Sequence, residues 1–181
     1  MFAFQTILPN VGPGTLKQRD DIKLLGNENE RQLYVPQDQF YKKLAIECTS
    51  QGVSFELFLP TRSYVDLATI GLLASTTGGG THYYKNFAAA REGPALQSEI
   101  VRVRLASIFH SRMLIVFFRE KTTGLQFGFD GLMRIRTSTG IKIVDHYGHF
   151  YMQNETDLEL GGIDSDKGTF FFVFVLIKPS L

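Results

Sequence analysis

The chain has no tryptophan and only one cysteine, Cys48. One cysteine excludes an internal disulfide and any thiolate-rich zinc site built from this chain alone, and it suits a reducing compartment. There is no excess of charge of either sign: 19 basic against 18 acidic side chains leave a net +1. No global field therefore draws the chain to nucleic acid or to a membrane surface, and any electrostatic recognition has to be local. Long hydrophobic runs are scarce as well. The longest covers residues 170–177, against the roughly 18 residues a membrane span needs. The opening MFAFQTILPN has neither a basic stretch nor a small-residue cleavage site, so it does not read as a secretory signal. These absences lead to the expectation of a soluble, intracellular protein. At 181 residues the chain can bury roughly 70 % of its unfolded surface, enough for one domain or one and a part.

The periodicities fall into two parts. Residues 2–8 pattern as a strand, and the polar, turn-rich stretch PNVGPGTLKQRDDIKLLGNENE follows as a surface loop. Pro36 and Asp38 are helix-start signals. Beyond them Phe40, Leu44 and Cys48, with Tyr41 and Ala45 alongside, form an apolar stripe that Gly52 is placed to stop. VSFELFL (53–59) is apolar enough for a strand buried on both faces. SYVDLATIGLLASTT predicts a helix ending at Gly78, Gly79 and Gly80, and THYYKNF resumes as a strand. Leu96, Ile100 and Val103 predict a third helix from Pro94 to about Ser107. This alternation points to α/β architecture with a parallel sheet and flanking helices. From about Gly128 the segments become short, alternating and split by glycine, as antiparallel β-structure requires. The expected organisation is an α/β part over 1–120 and a β-sandwich or barrel part beginning over 121–181. ASIFHSRMLIVFFREK and TFFFVFVLIKPSL fit neither pattern, and either would be an aggregation hazard if exposed.

Most chemical motifs dissolve on inspection. TTGGGT (76–81) lies after a helix and before a strand, the reverse of a phosphate cradle, so it reads as a helix C-cap. His146 and His149 alternate to opposite faces of a strand and cannot share an ion. The turn at 162–168 has Val175 where a calcium loop starting at Asp164 would need glutamate. Asn154-Glu155-Thr156 is a formal sequon without meaning in a cytosolic chain. No G-x-S-x-G elbow occurs, and Cys48 on a buried helical stripe is expected to be inert. No nucleophile is paired with a base, so catalysis is not expected.

Arg134 and Arg136 are different. In GLMRIRTSTGIKI (131–143), strand alternation puts Leu132, Arg134 and Arg136 on one face and Met133 and Ile135 on the other. Two readings stand: a solvated strand face with the arginine stems packed over Leu132, or a two-pronged carboxylate clamp whose spacing the strand fixes. A strand edge beside the clamp could also take an extended peptide.

At these residues the sequence resembles a known family. FDGLMRIRTSTGIKIVDHYGHFYMQNETDLELGGIDSDKG is similar to the trunk-to-β-barrel junction of the cargo-selecting subunits of the COPII vesicle coat, nearest the subgroup of the third and fourth human paralogues. FQTILPNVGPGTLKQRDD, YKKLAIECTSQGVSFELFLP, YVDLATIGLLASTTGG and THYYKNF resemble the back half of that family's von Willebrand A-like trunk. The resemblance implies a cytoplasmic coat subunit, peripheral on endoplasmic reticulum exit sites and COPII vesicles. It implies pairing with the GTPase-activating inner-coat subunit and binding of acidic export signals in cargo tails. In that family the arginines of the MRIR strand line a pocket for such signals, which implies this role for Arg134 and Arg136. No cofactor is implied within the chain, since the family's zinc sits in an upstream domain absent here. The front half of the trunk, most of the barrel, the helical domain and the gelsolin-like domain are also absent. The chain is thus expected to be a piece of a longer adaptor, with segments 106–121 and 169–181 departing from the family. The competing class is a metal-dependent A-type ligand-binding domain or an α/β enzyme fragment. The metal version needs a D-x-S-x-S cluster, which this sequence lacks.

Overall fold

The computed structural model describes residues 1–19, 26–108, 127–164 and 167–175. Its first layer is a parallel sheet of three strands in chain order: β1 (Phe2–Phe4), β2 (Glu56–Thr61) and β3 (Thr81–Lys85). β2 is the middle strand, and all but Pro60 is buried, which explains its run of apolar residues. Leu57, Leu59 and Thr61 turn to one face, and Glu56, Phe58 and Pro60 to the other.

On the Leu57 face, that strand packs with α1 (Phe40–Ser50) and the short helices α2 (Leu67–Ile70) and α3 (Leu72–Thr77), joining Tyr41, Ala45, Ile70, Leu73 and Ala74 in one core. The stripe on α1 is rotated from the expected one. Tyr41, Ala45 and Thr49 are buried, Leu44 and Cys48 pack at the margin, and Phe40 lies against Gly14 at the rim. The helix expected over 63–77 is two helices meeting at Gly71, where a Cβ would lie 2.6 Å from the Leu67 carbonyl oxygen. At the start of α1 the Asp38 carboxylate accepts the Phe40 N–H (2.7 Å), the role its position suggested. Gly52 follows α1 with φ +65°, a left-handed stop.

The opposite face carries an aromatic ladder in register across all three strands. Phe4 stacks on Phe58 (5.1 Å between centroids), and Phe58 on His82 (4.6 Å). His82 joins this ladder to charge: its ring lies 3.1 Å from the buried Glu56 carboxylate and 3.3 Å from Glu99. Glu99 belongs to α4 (Ala89–Ile108), which begins five residues before the expected Pro94. Pro94 is accommodated inside its early turns. The Glu92 carboxylate accepts the Ala88 N–H at the helix start (2.7 Å), satisfying a donor with no helical partner.

The connection before α1 is polar in sequence, yet its described residues 9–19 and 26–39 are tied to the body. Leu16 is only 2 % exposed and belongs to the core. Arg19 forms a two-toothed ion pair with the buried Asp66 (2.9 and 2.8 Å) and also donates to the carbonyls of Gln32, Leu33 and Val35. These bonds hold the 3-10 helix Glu28–Tyr34 against the body.

The second part is antiparallel. β4 (Phe127–Arg134) pairs with β6 (Asp157–Asp164), and β5 (Ile141–Tyr147) with β7 (Phe170–Val175), in two separate two-stranded sheets. No closed barrel forms among the described residues. β7 is the start of the unexpected 169–181 segment, and Phe170, Phe172 and Phe174 on it are exposed. Of the other unexplained stretch, 106–121, the first three residues end α4 and the rest lies outside the described residues, as do 122–126 and 176–181.

β6 joins the two parts, pairing with β4 and packing against α1 and α3. Its Leu158 and Leu160 are buried, and its paired Gly161 and Gly162 let the backbone run against Val53, Thr77 and Gly78. The triple glycine does more than cap α3. Gly78 is left-handed (φ +77°), and a Cβ there would stand 2.0 Å from the Gly162 carbonyl oxygen. A Cβ on Gly79 would stand 1.7 Å from the Phe55 carbonyl oxygen. His149 donates to the Gly79 carbonyl (2.9 Å) and Lys167 to the Gly78 carbonyl (2.6 Å), so side chains of the second part fasten the same turn.

Candidate functional site

Arg134 is the last residue of β4, and Arg136 follows on the extended chain that leads to the turn before β5. The alternation holds through this stretch. Leu132, Arg134 and Arg136 are exposed, while Met133 and Ile135 are half-buried on the other side. β4 ends at Arg134, so the strand expected to fix both arginines reaches only the first of them, and Arg136 lies two residues beyond its end.

They do not share a chemical state. The register of β4 on β6 sets Arg134 directly opposite Asp157. The Nε and Nη2 groups of Arg134 donate to the two carboxylate oxygens of Asp157 in a side-on fork. Asp157 is itself held from several sides. Asn154 Nδ2 donates to its Oδ2 (3.1 Å) and the Thr156 hydroxyl to its Oδ1 (3.2 Å). Asn154 Oδ1 in turn accepts the backbone N–H of Thr156 (3.0 Å) and of Asp157 (2.8 Å), a tight polar turn that aims the carboxylate. The Asp157 side chain is 10 % exposed and that of Arg134 48 %. Hydrogen bonds from Arg134 and then Asn154 hold the Asp157 carboxyl far below the usual carboxylate range, and the same pair raises Arg134. Asn154, whose sequon carried no expected role, is thus an organiser of this site.

Arg136 is exposed and makes no hydrogen bond or ion pair among the described residues. Its chain neighbours Ile135 and Thr137, but not Arg136 itself, line an open groove of about 610 Å³, which has Ile141, Ile143 and Met152 as further apolar lining and Lys142, Asp145 and Glu155 as charged lining. Ile135 faces it because alternation turns that side chain away from the arginine face. Thr156 belongs to both features, since it lines the groove and holds Asp157. The arrangement offers one unengaged guanidinium, one guanidinium already holding a carboxylate, and a groove of mixed lining on the side to which Ile135 turns. That suits reversible recognition of an extended peptide with a carboxylate.

The residues set aside in the sequence fall where ordinary structure uses them. His149 grips the Gly79 carbonyl, and His146 lines the groove. Cys48 packs beside the core, and burial pushes its thiol up, away from reactive thiolate chemistry. Among the described residues no three His, Cys, Asp or Glu side chains come together as metal ligands. No helix among them is long and apolar enough to cross a membrane.

Comparison with known proteins places this geometry in context. The family model of the Sec23/Sec24 trunk domain matches residues 1–104. Human protein transport protein Sec24C is 39 % identical over 168 residues, covering 92 % of this chain and 14 % of that protein. Protein transport protein SEC24 of Dictyostelium discoideum is 35 % identical over 169 residues, covering 92 % and 15 %. The crystal structure of the human COPII-coat protein Sec24c matches with a TM-score of 0.80 at 38 % identity, over 95 % of this chain and 20 % of that one. The chain thus spans only 14–15 % of the length of these curated relatives.

Proposed function

Because the chain belongs to the Sec23/Sec24 family, we propose that it is the trunk-to-β portion of a COPII cargo adaptor that binds carboxylate-bearing export signals without catalysis. Its partners are acidic cytosolic tails of cargo and, in the assembled coat, the GTPase-activating inner-coat subunit. Its place is the cytoplasmic surface of endoplasmic reticulum exit sites, held peripherally by the coat. It works without a cofactor of its own and without nucleic acid. Residues 1–120 form the partial trunk, and residues 121–181 begin the β-sandwich that carries the arginine strand.

The observation that carries this reading is Arg136. It is an exposed guanidinium two residues past the end of β4, unengaged among the described residues, and its chain neighbours Ile135 and Thr137 line an open groove of mixed apolar and charged character. An exposed guanidinium with unused donors is a ready carboxylate receptor, and the neighbouring groove is open to other parts of a peptide.

The test is binding of the full chain to a short fluorescent peptide carrying Glu-Glu, compared with its Gln-Gln counterpart. Tighter binding of the Glu-Glu peptide is expected, and Arg136→Ala should cost about 1.5–3 kcal/mol of that affinity, the scale of a hydrogen bond to a charged group. Equal binding of both peptides, with no loss in Arg136→Ala, would return the arginine face to a merely solvated surface.

A further inference from the structure

We propose that Asp157 is a built-in competitor for the cargo carboxylate, occupying the fork of Arg134 so that Arg136 alone meets the ligand. This rests on the carboxylate-binding reading above and adds to it the residue that limits its strength and selectivity.

The argument begins with the guanidinium. Its side-on edge, Nε with one Nη, is one of the two edges by which arginine takes a carboxylate with two parallel hydrogen bonds. In this chain Asp157 already sits on that edge of Arg134 with both oxygens. It is no casual surface partner. Strand register delivers it opposite Arg134, the Asn154 turn fixes its backbone, and Asn154 and Thr156 bind its oxygens. Its side chain is nearly buried while Arg134 is half-exposed, so the carboxylate is the better-held member of the pair. An incoming carboxylate that displaced Asp157 would leave a mostly buried charge without its cation, which is unfavourable.

The incoming ligand therefore meets a face where one positive charge is cancelled at contact distance. Arg134 still offers its Nη1 end, but Asp157 stands behind it and repels a second carboxylate. Arg136 has no such partner among the described residues. The site is thereby tuned to one carboxylate at moderate strength and set against densely acidic ligands. Asp157 acts here through Arg134 and the local potential, not by touching the peptide.

The experiment uses the full chain and the same Glu-Glu and Gln-Gln peptides. Asp157→Asn keeps a similar shape and removes the competing charge. Binding of the Glu-Glu peptide should tighten about threefold to fivefold, the scale of one exposed charge pair, with the Gln-Gln peptide unaffected. The gain should vanish when Arg134→Ala is added. Unchanged or weaker Glu-Glu binding in Asp157→Asn, with Arg136→Ala still costly, would overturn the competitor role and leave the carboxylate site standing. Loss of all discrimination between the peptides in the native chain would instead remove the site itself, and the competitor with it. A variant-free readout guards against misfolding of Asp157→Asn. In the native chain, the side-chain Nε–H resonance of Arg136 should move on titration with the Glu-Glu peptide while that of Arg134 stays in place. A matching shift at Arg134 would show that the ligand enters its fork and would sink the proposal.

Discussion

Replacing Gly78 with alanine tests whether the two parts of the chain are joined by backbone contact. Two penalties add at this position. Gly78 has φ +77°, a conformation that costs an L side chain roughly 1 kcal/mol. The new Cβ would also lie 2.0 Å from the Gly162 carbonyl oxygen, which belongs to strand backbone and cannot swing aside as a side-chain tip could. Overpacking of that kind costs roughly 1–3 kcal/mol. Together the expected loss is about 2–4 kcal/mol, or a fall in melting temperature of roughly 5–15 °C for a chain of this size. The assay is thermal unfolding followed by circular dichroism, with Gly93→Ala as the control. Gly93 lies in α4, and a Cβ there meets nothing within 4 Å, so that change should leave stability unchanged or raise it by up to about 1 kcal/mol. Because β6 carries Asp157 at one end and Gly162 near the other, Gly78→Ala should also loosen the arginine site. A Gly78→Ala melting temperature within a degree or two of the native value would refute the close-approach argument.

Three further outcomes follow from the geometry. Leu16→Ala, in a connection that looks like surface loop, should cost about 2–5 kcal/mol because Leu16 is a core side chain; urea unfolding measures it. Arg19→Ala should cost about 3 kcal/mol, since it takes the cation from the buried Asp66 carboxylate and leaves Gln37 and Thr69 to hold the charge; proteolysis should then cut faster within 26–35. The Arg134–Asp157 pair predicts a pH dependence. Its carboxyl is depressed in the folded state, so its contribution is present above the ordinary aspartate pKa near 3.9 and is lost as pH falls below that value. Asp157→Asn should therefore lower the melting temperature at pH 7, and the gap to the native chain should close as pH falls below about 4.

Much of the α/β part is legible in the sequence because its signals are local. The apolar run 53–59 marks a doubly buried strand, and the observed β2 is displaced by only a few residues. Gly52 and Gly78 mark helix ends, and both take left-handed backbone there. What the sequence conceals is long-range. Leu16 sits among turn residues, and nothing within a few positions shows that α1 and β2 will cover it. Arg19 and Asp66 are 47 residues apart, so their pairing exists only after the fold has formed. The triple glycine is legible as a cap, but the reason for its extra glycines is Phe55 and Gly162, neither of them a chain neighbour. The start of α4 before Pro94 is missed because proline is a helix-start signal, whereas here Glu92 caps an earlier beginning.

The arginine site shows the same division at closer range. Alternation alone places Arg134 and Arg136 on one face; both are exposed, but β4 ends at Arg134. Alternation also makes them equivalent, and this is where local reading stops. Their difference is set by a strand that returns 23 residues later with an aspartate in register with Arg134. A register slip of one residue would turn that aspartate to the other face and leave both guanidiniums unengaged. The Asn154 turn is what holds the register at this end of β6, since it fixes the backbone of Thr156 and Asp157. The sequence NETD therefore decides which of two identical side chains is already occupied: it holds Asp157 on Arg134 and leaves Arg136 without a partner among the described residues.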